Sequence, residues 1–272
     1  MSALDGVTMG MFRRNKEKRV RRRTVRPFRE RPISHVLEGM ACLLLAGAFS
    51  LGTYDYVRTD PVFRVKTIRV EGACNLTPES IIAESGVTAD DCLILLSTGA
   101  VRNRVSAIPY VKLCRIGRIF PDKLVIAVQE RLALATLIVN NRLYEVDDEG
   151  NVLRELGPET PHVPPFITNV PDLDYVEVGQ HMTQPSLKAA LAVWAAFSRT
   201  AMAGDVSVSE ISAARENRVC MYCDELNFEI RWGGEDLERQ AGKLDVFWRA
   251  QNKNIRCKEY LDLRFGNDVA CK

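Results

Sequence analysis

The chain has few of the residues, and none of the motifs, on which most enzymes depend. Its 272 residues include only three histidines, and none of them lies near a cysteine or a Gly-x-Ser-x-Gly turn. No glycine-rich phosphate-binding loop follows a predicted strand, and the carboxylates are scattered over predicted surfaces. Because no nucleophile, base and orienting group come together, we predict a protein that is not an enzyme and that uses no cofactor, metal ion or small-molecule substrate.

The number of cysteines outside one apolar stretch is odd. Cys42 lies in that stretch, and the seven others cannot all pair within the chain. Those seven are Cys74, Cys92, Cys114, Cys220, Cys223, Cys257 and Cys271. Cys220 and Cys223 have the spacing of a zinc or redox pair, but no second CxxC exists, and side chains three apart in a strand point to opposite faces. We interpret the cysteines as structural or incidental, with a thiol enzyme as an alternative.

Long apolar runs are also scarce, and only one is long enough to matter. Residues 39–54 carry no charge and would rise about 24 Å as a helix. We predict a single transmembrane helix over residues 33–57, with its ends in the interfaces. The alternatives are a signal peptide cleaved after Ala48 and a buried core helix. A basic lead of more than thirty residues is typical of neither.

The charge is distributed unevenly about that helix. Residues 1–32 hold eleven basic and three acidic groups, whereas the remainder holds 26 basic and 32 acidic groups. This asymmetry predicts that residues 1–32 lie in the cytoplasm and that the domains after the helix are extracytoplasmic. Residues 1–32 have no hydrophobic period and no helix caps, so we predict a disordered tail. The tail would set topology and attract anionic lipid, with a nucleic-acid tail as the alternative. The acidic remainder does not predict nucleic-acid binding.

The sequence pattern of residues 62–131 predicts a first domain with the order strand, helix, helix, strand, strand. Phe63 to Gly72 is rich in β-branched residues and is predicted as a strand. Thr77 can cap a first short helix, which ends at Gly86, and Ser97 or Thr98 can cap a second. Two further strands follow, joined by a tight turn at Pro121 and Asp122.

Residues 132–272 predict a second, β-rich domain with flanking helices. Short strands are separated by turns at Asn140-Asn141 and Asp148-Glu149-Gly150, and a proline-rich connection follows over 157–171. Two helices with apolar faces, one from Pro185 and one after Gly234, flank a hairpin over 218–232. The last predicted strand is 260–265, whose alternation places Leu261, Leu263 and Phe265 on one face and Tyr260, Asp262 and Arg264 on the other. One face should fill the core and the other should be accessible.

Two stretches carry a family resemblance. FRVKTIRVEG at 63–72 and RIFPDKLVIAVQER at 118–131 resemble the POTRA module found just outside the membrane in the FtsQ/DivIB family of cell-division proteins. The Gly-rich turn, helix and aromatic-x-Asp-Leu-Arg-aromatic strand at the end of the chain resemble the C-terminal pattern of the same family. The resemblance therefore predicts an α+β fold in which a basic tail, one membrane helix, a POTRA domain (β-α-α-β-β) and a β-rich domain follow in order. The cysteines depart from the family pattern.

The resemblance also implies a function and a site. It implies a non-enzymatic scaffold of the division machinery in the cell (inner) membrane, which binds FtsB- and FtsL-like single-span coiled-coil proteins and helps to control septal peptidoglycan synthesis. The implied partner-binding residues are Arg264 and Phe265, with Tyr260 and Asn267 beside them. In the alternative interpretation, Arg264 pairs with Asp262 or Glu259 and Phe265 is ordinary core. A secretion or outer-membrane assembly component is the alternative function, because POTRA modules also occur there.

Overall fold

The computed structural model describes residues 32–272, so the prediction for the basic tail lies outside the described residues. Helix α1 runs from Pro32 to Thr59. Its segment Val36–Thr59 has a mean hydropathy of 1.6, and none of its side chains is buried within the protein. The described part of the chain thus contains one helix that is long and apolar enough to cross a membrane.

Residues 55–272 form a second compact unit that contains two β-sheets. The small sheet and its helices comprise β1 (Thr67–Glu71), α2 (Pro78–Ser85), α3 (Thr98–Ser106), β2 (Val111–Ile119) and β3 (Lys123–Glu130). Strand β3 is central, parallel to β1 and antiparallel to β2. This is the predicted strand, helix, helix, strand, strand order.

Local signals in the sequence explain where the two short helices begin and end. The side chains of Thr77 and Ser97 accept hydrogen bonds from the backbone N–H groups of Ser80 and Ala100, as expected for N-caps. Helix α2 ends at Gly86, which adopts the left-handed conformation with φ of 61°. These predictions are confirmed.

The first strand begins later than predicted. Phe63 belongs to a 3₁₀ turn, Pro61–Phe63, because the side chain of Asp60 caps that turn by accepting a hydrogen bond from Val62 N–H. Val65 N–H donates to Asp91 O instead of to the neighbouring strand. Regular pairing therefore starts only at β1.

The small sheet buries one face under α2 and α3. The apolar core contains side chains from both helices and from the inward positions of β2 and β3. Its fully enclosed members include Ile81, Leu93, Val101, Leu124 and Ile126. Alternate residues of β3 are thus buried, which is the period of a strand with one covered face.

The large sheet has nine strands. They are β4 (Ala135–Val139), β5 (Arg142–Val146), β6 (Val152–Leu156), β7 (Phe166–Thr168), β8 (Val208–Arg215), β9 (Arg218–Cys223), β10 (Glu229–Trp232), β11 (Tyr260–Asp262) and β12 (Ala270–Cys271). Their spatial order is β12-β11-β10-β9-β8-β7-β4-β5-β6. Helices α4 (Pro185–Phe197) and α5 (Leu237–Ala250) pack against each other, and their apolar faces join the core of this sheet.

Three strands of the large sheet, β7, β8 and β12, are absent from the sequence prediction. The proline-rich connection contains β7, which lies between β4 and β8 and is parallel to both. Its Ile167 is fully buried, so this three-residue strand joins the two halves of the sheet. Strand β8 was not predicted either, whereas the β9–β10 hairpin is confirmed.

A polar network joins the small and large sheets. Arg131, which follows β3, donates from Nη1 to Asp147 Oδ2 at 2.7 Å and to Glu149 Oε2 at 2.8 Å. Tyr110 donates to Glu145, whose carboxylate also receives two hydrogen bonds from Arg154 at 2.9 and 2.7 Å. Because Asp147 and Glu145 are buried, these hydrogen bonds compensate carboxylates that would otherwise be costly to enclose.

Candidate partner-binding site

The C-terminal edge of the large sheet comprises residues 260–272, that is, β11, a connecting loop over 263–269 and β12. Strand β11 is parallel to β10, and β12 is antiparallel to β11. In the described part of the chain the sheet ends at β12. The C-terminal edge is therefore one of the two margins at which this sheet could accept another strand.

The structure corrects the predicted last strand in three respects. The strand ends at Asp262 instead of Phe265, and β12 follows it, so β11 lies inside the sheet. Leu261 and Leu263 are buried as predicted. Asp262 is not accessible but 1% exposed, because the Arg264 side chain folds back over it.

Arg264 and Asp262 form a bidentate ion pair. Arg264 donates from Nε to Oδ1 at 3.0 Å and from Nη2 to Oδ2 at 2.6 Å, and its backbone N–H also donates to Oδ1 at 3.0 Å. Burial alone would raise the pKa of Asp262, but the hydrogen bonds from Arg264 lower it below its usual value. The carboxylate thus stays charged, while Arg264 retains exposed surface over it. Arg264 thus pairs with Asp262, one of the two partners that the alternative interpretation named for it.

Phe265 contradicts the other half of that interpretation. Its side chain is 54% exposed, although it follows two buried leucines in the alternation. The reason is that regular strand geometry has ended and the chain turns at Gly266, whose φ is +24°. Asn267 is exposed on the same loop. Phenylalanine and arginine are both enriched at protein–protein interfaces, so this exposed pair is a candidate binding surface.

Lys243 of α5 holds the loop in place. Its Nζ donates to the backbone carbonyl oxygen of Leu263, to those of Phe265 and Gly266 at 3.1 Å each, and to that of Asp268 at 3.2 Å. Burial lowers the pKa of this ammonium group. One side chain from a rigid helix therefore fixes the loop that displays Phe265 and Asn267.

Tyr260, the fourth predicted site residue, is engaged within the sheet. The Arg231 guanidinium lies 3.8 Å from the centroid of its ring, and Arg231 also pairs with Glu229. Tyr222 donates to Glu229 at 2.9 Å; burial and this carboxylate raise the pKa of Tyr222 to about 12. Tyr260 is half-buried, so it presents less surface than Phe265.

Cys220 and Cys223, the CxxC pair, do not have the lowered thiol pKa of a redox-active pair. Cys223 is buried and Cys220 is partly exposed, because β9 points them to opposite faces as predicted. Burial raises the pKa of both thiols, that of Cys223 to about 12, whereas a reactive thiol needs a lowered pKa. Among residues 32–272, no group of three or more His, Cys, Asp or Glu residues could hold a metal ion.

Cys257 and Cys271 form a disulfide, with Cα atoms 5.4 Å apart. The bond joins the segment before β11 to β12 itself. Sequence reasoning left open which cysteines pair, since spacing alone does not determine connectivity.

Comparison with known proteins decides the family. Residues 63–131 match the family described as POTRA domain, FtsQ-type, and residues 135–264 match the family described as cell division protein FtsQ/DivIB, C-terminal. Cell division protein FtsQ of Anaeromyxobacter sp. (strain K) is 31% identical over 205 residues, which cover 75% of this chain and 68% of that protein. The chain belongs to the FtsQ/DivIB family.

A second relative supports the membership at lower identity, and one solved structure shows a weaker similarity. Cell division protein FtsQ of Geotalea daltonii is 23% identical over 254 residues, which cover 92% of each protein. The solved extracytoplasmic domain of DivIB from Geobacillus stearothermophilus is 17% identical and covers 47% of this chain and 99% of that one, with a TM-score of 0.29. This FtsQ/DivIB chain therefore has a POTRA domain and a β-rich C-terminal domain, and the family assigns it a role in cell division.

The structure of this FtsQ/DivIB chain brings together three of the four predicted site residues. Arg264, Phe265 and Asn267 lie on one short exposed stretch, and Tyr260 lies at the start of β11. Sequence reasoning missed Lys243, since a lysine on an amphipathic helix normally faces water, and it missed β12, which is too short to show alternation. The sequence offered no signal for the Cys257–Cys271 disulfide beyond the presence of the two cysteines.

Proposed function

We propose that this chain is a membrane-anchored scaffold that binds FtsB- and FtsL-type coiled-coil proteins through its C-terminal edge and thereby helps to control septal peptidoglycan synthesis. The observation that carries the proposal is the exposure of Phe265 beside Arg264 at the margin of the large sheet. The role is that of a non-enzymatic binding protein.

The orientation in the membrane follows from charge. Eleven basic residues precede α1 within residues 1–32, and the rest of the chain is net acidic. The positive-inside rule then places the N-terminus in the cytoplasm and residues 60–272 outside it. A phosphatase reporter fused after Lys272 should be active, and the mature protein should keep the mass of the uncleaved chain. A mature N-terminus near Phe49 would contradict the anchor.

The partner site is proposed on two kinds of surface. The outward backbone groups of β12 can pair with an added strand, which supplies affinity without reading sequence. Phe265 and Arg264 supply the side-chain contacts that distinguish partners, because desolvated aromatic and arginine side chains dominate interface energies. The ion pair with Asp262 keeps the Arg264 side chain in one position before binding, which lowers the entropy cost of association.

The experiment is a co-purification of the full chain with a co-expressed FtsB/FtsL-type pair from mildly solubilised membranes, followed by titration. Phe265→Ala should weaken binding by about 2 kcal/mol, roughly thirtyfold, without lowering the unfolding temperature of the domain. Arg264→Ala should weaken binding to a similar extent in a folded domain, but it should also lower the unfolding temperature, because it leaves the buried Asp262 carboxylate without its partner. Tyr175→Ala is the matched control, since Tyr175 is also an exposed aromatic residue of the large-sheet domain. Unchanged binding in a folded double variant would move the site elsewhere on this domain.

A further inference from the structure

The disulfide lies on the residue that forms the free margin of the sheet. Lys272 N–H donates to Tyr260 O, and Tyr260 N–H donates to Lys272 O, so these two residues form a hydrogen-bonded antiparallel pair. Adjacent pairs alternate in an antiparallel ladder, and Cys271 opposite Leu261 is therefore a non-hydrogen-bonded pair. The backbone N–H and C=O of Cys271 consequently point away from β11, toward the position that an added strand would occupy.

Besides the disulfide, this margin is fixed within residues 32–272 only by the partly buried Val269 before it and by a few polar contacts of exposed residues. Strand β12 has two residues, and Cys271 and Lys272 are exposed. The Lys272–Glu259 ion pair, at 2.8 Å, is exposed on both sides and contributes little. Lys272 O accepts hydrogen bonds from the N–H groups of three residues, Lys258, Glu259 and Tyr260, but Lys272 is exposed and water can replace those bonds.

From this placement we infer that the Cys257–Cys271 disulfide is a redox lock on the partner-binding margin: β12 keeps its register, and the coiled-coil partners bind tightly, only in the oxidised protein. This inference rests on the proposed function. The remaining described cysteines have free thiols, so the lock is specific to one pair. Cys271 is exposed, and a thiolate outside the fold can reach the bond.

The chemistry balances as thiol–disulfide exchange. The Sγ atoms of Cys257 and Cys271 form a bond and lose two protons and two electrons. The oxidant is a protein or low-molecular-weight disulfide of the extracytoplasmic compartment, whose S–S bond breaks as it takes up both to become two thiols. Reduction by a dithiol reverses each step and releases β12.

The first test maps the thiols in the full chain purified in detergent. The protein is alkylated without reductant, then reduced and labelled with a second reagent of different mass. Cys257 and Cys271 should take the second label, whereas the exposed free Cys74 should take the first. First-label modification of Cys257 and Cys271 would overturn the lock.

The second test measures hydrogen exchange at the amides of Lys258, Glu259 and Tyr260, which bond to Lys272 O. The double variant Cys257→Ser, Cys271→Ser, and wild type treated with a dithiol, should exchange at these amides at least about tenfold faster, with the amides of β3 unchanged. Equal rates in the oxidised and reduced proteins would show that the disulfide does not hold β12.

The third test separates the lock from the partner site. The same co-expressed FtsB/FtsL-type pair should bind the double variant at least about tenfold more weakly than wild type, and Cys74→Ser should bind normally. Equal binding of both forms would overturn the lock and leave the proposed function standing. Absence of binding even to the oxidised wild type would instead overturn the proposed partner, and with it the lock as a control of binding.

Discussion

Strand β3 of the POTRA domain has a neighbour on each side, whereas β12 at the C-terminal edge has a neighbour on one side only. The inward residues of β3, Leu124, Ile126 and Val128, are enclosed by apolar side chains from two helices. The loop before β12 is positioned by one ammonium group, and β12 is held by one disulfide and a few polar contacts of exposed residues. The first region is stabilised by packing and the second by a few specific tethers.

This difference separates what the two regions can do. Apolar packing is cooperative, so a defect in β3 spreads to the whole domain. A tethered edge can change its order locally while the domain stays folded, and its exposed side chains remain available for binding. Stability and partner binding should therefore be lost through different substitutions.

The largest effect is expected for Ile126→Asp. Ile126 is 0% exposed, so the variant encloses an unpaired carboxylate and should lose several kcal/mol of unfolding free energy, enough to unfold the POTRA domain. Protease resistance and chemical denaturation measure the loss. Gln129→Asp, at an exposed position of the same strand, is the control and should change stability by less than about 1 kcal/mol. A protease-resistant Ile126→Asp protein would contradict the packing account.

A smaller loss is expected at the junction between the two sheets. Arg131→Met removes the charge that compensates Asp147, whose carboxylate is fully buried, and should cost about 2–3 kcal/mol in chemical denaturation. Arg142→Met is the matched control, because the Arg142–Glu155 pair is 3.5 Å apart and exposed on both sides. That control should cost less than about 1 kcal/mol. Equal losses of unfolding free energy in the two variants would show that the buried ion pair does not stabilise the junction between the two sheets.

The junction also predicts a pH dependence. Hydrogen bonds from Arg131 and then Lys112 lower the pKa of Glu149 to about 2, below its value in the unfolded chain of about 4.3. A lowered carboxyl pKa contributes stability above the unfolded value, and this contribution is lost as the pH falls toward 2. The stability difference between wild type and Arg131→Met should therefore shrink between about pH 4 and pH 2, as measured by denaturation at each pH. A constant difference would exclude Glu149 from the junction.

The sequence predicted those features that depend on local chemistry. Thr77, Ser97 and Gly86 act as caps because capping needs only neighbouring backbone groups. The alternation of Leu124, Ile126 and Val128 gave the buried face of β3 for the same reason. The order of POTRA elements and the β9–β10 hairpin follow from such signals.

Features that depend on distant partners were not predictable. Strand β7 has three residues and becomes a strand only because β4 and β8 lie on either side of it. Asp262 was expected to be accessible, and it is buried because Arg264 folds over it and β12 covers its strand. The site residues named by family resemblance lie together. Lys243 and Cys257, which position the loop and β12, lie outside that stretch of the sequence.

Lys243→Met is expected to have the smallest effect on stability, but it should weaken partner binding. The four carbonyl oxygens that Lys243 contacts belong to a mostly exposed loop, so water can replace the ammonium group and the unfolding temperature should change little. The loop would then sample many conformations, and ordering it on binding should weaken the partner affinity by about tenfold, or about 1.4 kcal/mol. Titration of the FtsB/FtsL-type pair against the full chain measures this loss. Lys188→Met, at an exposed position of α4, should bind as wild type does. If Lys243→Met instead unfolds the domain, the ammonium group is part of its core stability; if binding is unchanged in a folded variant, the loop does not need to be held for partners to bind.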